Sequence, residues 1–147
     1  MAEATGAASV PLLGKSQVVD GENTQAAQRS AGDPLVGELR RRLVPLLVLH
    51  FISQEASYGN QLIDRLGNLT EGVLVINPNT MYPLLRDLEA RELIAGRWEH
   101  PERRSRRFYE ITEAGLAELD QLREQAAPAL DALARSVARI KAELSIG

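Results

Sequence analysis

An asparagine followed at once by a proline opens the run NPNTMYPLLRDLEAR, Asn77 to Arg91, and constrains the fold more than any other stretch of the chain. Asn is a good helix N-cap because its side-chain oxygen accepts an orphan backbone N–H, and Pro at the first helical position lacks a donor that would have no partner there. Met81, Leu84, Leu85 and Leu88 fall at i, i+3, i+4 and i+7, so the spacing predicts a helix over 77–91 with one apolar stripe facing a core. Asn79, Tyr82, Pro83, Arg86 and Ala90 repeat that spacing on the other side, giving an outward face of amide, phenol and guanidinium groups. Pro83 deletes one backbone hydrogen bond, so a kink or a later start near Asn79 is expected. Alone, the segment suits an ordinary amphipathic surface helix and a recognition helix equally well.

The flanking sequence shifts that balance. Residues 1–34 are rich in Ala, Gly, Ser, Gln and Asn without an apolar period, and read as a disordered extension that docks, if at all, through a short segment. Order is expected from Pro34 or Leu35. The run LVGELRRRLVPLLVLHFIS is apolar almost all round in its second half, which predicts a buried helix that Pro45 kinks or splits. Arg40, Arg41 and Arg42 point in different directions on a helix and read as a solvated face before a phosphate-facing patch. His50, between Leu49 and Phe51, reads as a packed histidine rather than a ligand.

After a polar break at 54–56, YGNQLIDRL places Tyr58, Leu62 and Leu66 at four-residue steps and predicts a second helix, with Gly67, Asn68 and Gly72 marking its exit. Two helices in this order, the later one with a polar outer face, make a helix-turn-helix pattern. LIAGRWE and RRFYEI then read as two strands joined through HPERRS, a β-hairpin with a long tip. Arg103, Arg104, Arg106 and Arg107 against Glu102 give that tip a local charge of +3, while the whole chain carries −3. Guanidinium groups beside a polar helix suit phosphate oxygens, although such a tip can also be merely solvated.

From Thr112, a good N-cap, a last helix is predicted with Leu116, Leu119 and Leu122 inward, interrupted at Pro128. Leu130, Leu133, Val137, Ile140 and Leu144 then alternate steps of three and four, the seam that coiled-coil partners use, and a second copy of the chain is the expected cover.

Composition closes other routes. With no cysteine there is neither disulfide nor thiolate chemistry, and no stretch reaches membrane-spanning length. Two distant histidines, no phosphate-cradling glycine loop and no clustered metal ligands leave nothing on which to build an enzyme, a cofactor site or a metal site. A cytoplasmic location is the default expectation.

YGNQLIDRL, NPNTMYPLLRDLEARELI, GRWE and RRFYEITEAG together resemble the PadR family of bacterial winged helix-turn-helix transcriptional regulators. The resemblance covers roughly residues 43–119, and its most specific part is Pro78 to Ile94 with Tyr109, Thr112 and Gly115. It implies a mainly α fold with a small β-hairpin wing, a DNA-binding domain over 35–117 and a C-terminal dimerisation helix over 118–147. It also implies a homodimeric repressor on double-stranded DNA with an inverted-repeat operator, 77–91 being the recognition helix and 93–111 the wing. The expected DNA contacts are Asn79, Thr80, Tyr82 and Arg86 on the helix and Arg103, Arg104, Arg106 and Arg107 on the wing. Two positions depart from the pattern. Arg103 and Arg104 stand where family wings commonly carry a glycine pair, and no aromatic residue follows Tyr109, so the stacking of flat ligands on a last-helix tryptophan known in some relatives does not carry over. Trp98, on the first wing strand, reads as a packing residue, with contact to a small-molecule effector of unknown identity as the minority view. The rival class is a winged-helix protein-interaction module, which the acidic net charge mildly favours.

Overall fold

The computed structural model describes residues 34–103 and 105–147, and the expected N-terminal extension therefore lies outside the described residues. In chain order the elements are α1 (Pro34–Gln54), β1 (Ser57–Tyr58), α2 (Gly59–Leu69), α3 (Pro78–Ala90), β2 (Ile94–Trp98), β3 (Arg107–Ile111) and α4 (Glu113–Glu143). The apolar second half of α1 fills the centre: Val44, Leu46, Val48, Leu49, Phe51 and Ile52 are buried, and α2, β3 and α4 pack around it. Pro45 lies within α1, which is a single helix on both sides of it.

Leu62 and Leu66 of α2 and Met81, Leu85 and Leu88 of α3 are buried in the same core, with Leu84 half-buried at its edge. Between the two helices the chain turns through Glu71 and Gly72, both at positive φ, and Thr70 Oγ1 donates to Leu66 O while accepting from Leu74 N–H. Leu74 and Ile76 then drop into the core, so this loop is anchored by two apolar side chains rather than merely spanning a gap.

The hairpin is one part of a three-stranded antiparallel sheet in the order β1-β3-β2. Ser57 and Tyr58, expected to lead directly into the second helix, instead pair with Tyr109 and Phe108. Tyr58 is the N-cap residue of α2, and the Gln61 side chain reaches back to accept its N–H at 2.8 Å. The four-residue step from Tyr58 to Leu62 therefore crosses a helix boundary.

Thr112 caps α4 by accepting from Gly115 N–H at 2.9 Å and donates to the carbonyls of Glu92 and Leu93. A Cβ on Gly115 would stand 2.0 Å from Leu93 O, so only glycine lets α4 leave the sheet this close to the start of β2. Two expectations for α4 need correction. The helix is not interrupted at Pro128 but runs unbroken for 31 residues, and Leu116 is 45% exposed rather than inward, leaving Leu119 and Leu122 to meet the core. Pro128 is exposed and so is Glu124, whose carbonyl loses the missing N–H; water can satisfy that acceptor, so the lost bond leaves no buried orphan.

Candidate nucleic-acid interface

Helix α3 begins where the sequence places it. Asn77 is its N-cap and accepts Thr80 N–H at 3.1 Å, and Pro78 takes the first helical position. Burial of Met81, Leu85 and Leu88 turns the opposite stripe outward, so Asn79, Thr80, Pro83 and Arg86 are all exposed. Tyr82 differs from its neighbours on that stripe. Its ring packs against the Gly59 backbone at the head of α2 and its hydroxyl lies 3.5 Å from Asn60 Oδ1, leaving it half-buried between the two helices.

The sheet lies beside α3, and the described tip arginines do not share one environment. Arg103 is exposed, held by its backbone N–H to His100 O, whereas Arg104 lies outside the described residues. Arg106 is two-thirds exposed but anchored: its guanidinium lies 3.9 Å from the centre of the Tyr58 ring and donates to both oxygens of Glu99. Tyr58 hydroxyl donates to the same carboxylate at 2.9 Å, and its ring stacks on Phe108. Hydrogen bonds from Arg106 and then from Tyr58 hold the Glu99 carboxyl below its ordinary range. Desolvation, followed by the hydrogen bond to Glu99, pushes the Tyr58 phenol up, and the same carboxylate raises Arg106.

Arg107 points to the other face of the sheet, as the alternation of a strand requires. It donates to Glu89 Oε2 of α3 at 2.7 Å and passes over the Trp98 ring. Trp98 is 48% exposed on β2. Sequence spacing shows the carboxylates of Glu89 and Glu99 and the phenol of Tyr58 only as scattered polar positions, because each partner pair is brought together by the fold.

A separate feature lies on α4. Every residue from Ala127 onward is exposed, and Leu130, Leu133, Val137, Ile140 and Leu144 present 41–61% of their surface. The near end of this seam, Leu130 and Leu133, lines a groove of about 530 Å³ whose other wall is Leu39, Leu43 and Leu46 of α1.

Residues 48–121 match the model of the family described as the transcriptional regulator PadR-like family. The transcriptional regulator Rv3488 of Mycobacterium tuberculosis is 36% identical over 100 residues, covering 68% of this chain and 87% of that relative. The transcriptional regulator YqjI of Escherichia coli is 35% identical over 89 residues, but the chain spans only 39% of its length. Among solved structures, a PadR family transcriptional regulator from Eggerthella lenta superposes with a TM-score of 0.59 at 32% identity over 70% of this chain and 88% of the other. A transcriptional regulator from Clostridium thermocellum shares the fold at a TM-score of 0.60 and 21% identity, over 67% and 96% of the two chains.

Proposed function

The chain belongs to the PadR-like family of transcriptional regulators, not to a family of enzymes, and on that premise we propose that it is a cytoplasmic homodimeric repressor that binds an inverted-repeat operator in double-stranded DNA. The observation that carries the DNA-binding half is the outward stripe of α3: capped at Asn77, backed by three buried residues, and exposing Asn79, Thr80 and Arg86 beside an arginine-bearing wing. Such groups hydrogen-bond base edges and phosphates, and a helix of this kind enters the major groove of B-DNA. Arg103, with Arg104 beside it in sequence, would lie along the flanking backbone, whereas Arg106 would reach a phosphate only by giving up its bonds to Glu99. Tyr82 contributes through its hydroxyl while its ring holds α3 to α2.

The dimer half rests on α4. Five apolar side chains at seam spacing, exposed on one copy and continuous with the α1 groove, are the surface a second copy would cover. Symmetry of such a dimer sets two recognition helices in successive major grooves and dictates an inverted repeat. Repression is carried over from the family resemblance. No helix among the described residues is long and apolar enough to cross a membrane.

Selection of bound duplexes from a random pool by the full chain tests this function. Enrichment of an inverted repeat with half-sites about one helical turn apart is expected. Failure to enrich any sequence, with no binding to random duplex either, would favour the protein-interaction module.

A further inference from the structure

Of the described tip arginines, Arg107 has the least exposed guanidinium. Its pair with Glu89 is the one ion pair among the described residues in which both side chains are less than a third exposed, at 29% and 31%. Three elements meet there. Arg107 is on β3, Glu89 is in the last turn of α3, and between them lies β2, an edge strand, at Gly96 and Trp98. A Cβ at Gly96 would stand 2.6 Å from Arg107 Nε, so the side chain lies flat across a strand whose glycine leaves the space. Gly96 N–H donates to the same Glu89 Oε2 at 3.3 Å, and the guanidinium also passes over the ring of Trp98, its register partner. One carboxylate on the helix thus accepts from both strands of the hairpin.

We propose that Arg107 is a positioning residue whose pair with Glu89 sets the wing at a fixed angle to the recognition helix, and that its charge is spent inside the protein rather than on a phosphate. The proposal rests on the reading that α3 and the wing engage one duplex. Fixing their relative placement matters because the helix must reach base edges while the wing meets backbone, and a rigid pair of contacts loses less ordering entropy on binding. A guanidinium already paired with a carboxylate releases no counterion from DNA, so it adds nothing to the salt dependence of binding.

The experiment uses the full chain with a duplex drawn from the random-pool selection and a scrambled duplex of equal length, titrated across salt concentrations. Wild type is compared with Arg107→Gln, Glu89→Gln and the double variant, and amide fingerprint spectra verify the fold of each. Either single substitution is expected to lower affinity for the selected duplex about tenfold. Affinity for the scrambled duplex and the slope of log affinity against log salt stay at wild-type values, and the double variant loses no more than either single one. Because Glu89→Gln is close to isosteric, it carries the test if Arg107→Gln does not fold. A flattened salt slope in Arg107→Gln, with Glu89→Gln binding like wild type, overturns the proposal and makes Arg107 a phosphate ligand. Wild type that selects no sequence and binds no random duplex overturns the DNA-binding reading itself, and this proposal with it.

Discussion

Arg86 and Arg107 carry the same group to different ends, and what separates them is whether the fold supplies a carboxylate. Arg86 stands on the exposed stripe of α3 with no ion-pair partner among the described residues, so it is the guanidinium best placed to reach a base edge. Arg86→Ala is expected to cost about 1–3 kcal/mol at the selected operator and to relax preference at one base pair, read by titration against single-base operator variants. The position of Arg86 was legible from helical spacing. The fate of Arg107 was not, because Glu89 lies 18 residues away and meets it only once the hairpin has folded back on α3. Spacing placed Tyr82 on the outward stripe but did not show that α2 approaches closely enough at Gly59 to half-bury its ring. Glu99 makes a pH-dependent prediction. Its folded carboxyl titrates below the ordinary 4.5, so its bonds to Arg106 and Tyr58 contribute fully above that value and are lost as pH falls through the lowered one. Glu99→Gln should therefore flatten the acid limb of the stability curve below the ordinary carboxylate value, measured by urea unfolding over a pH series.

Among the elements, α3 was the most legible, since cap, proline and apolar stripe all sit within one run of sequence and agree. The two wing strands were also visible in their composition. β1 was not, because two residues carry no period and the strand exists only where β3 offers it a ladder. Pro128 misled for the opposite reason: its local penalty is real, yet the lost hydrogen bond falls on an exposed turn and the helix continues through it. Among the wing's described arginines, Arg103 is the exposed one whose charge is not committed to a carboxylate in any observed pair. Arg103→Ala is expected to weaken selected and scrambled duplexes alike and to flatten the log–log salt slope by about one unit per subunit. An unchanged slope would make Arg103 a merely solvated residue.

At the scale of the whole molecule, the domain core is complete without the second half of α4. Buried Leu49, Leu85, Leu88 and Ile94 lie in α1, α3 and β2, and no residue after Ala126 joins the core. Leu133→Asp combined with Ile140→Asp is therefore expected to leave a folded domain that sediments as a monomer. Its operator affinity should fall toward the nonspecific level, because two half-sites no longer act together. A double variant that stays dimeric would move the interface to α1, and one that unfolds would show that the seam serves its own subunit. The seam was legible as a period, and its exposure along one copy agrees with the expectation that the domain itself does not cover it, although spacing alone does not say which surface an apolar stripe meets. The unbroken course of α4 also has a rotational consequence. Its 31 residues span about 46 Å, and each residue turns the helix by about 100°. The domain grips one end, through Leu119 and Leu122, and the seam occupies the other. Residue count between them thus sets an azimuth as well as a distance: removing one residue near Pro128 would swing the seam about a quarter-turn around the axis, whereas removing seven would shorten the arm by about 10 Å and nearly restore its heading.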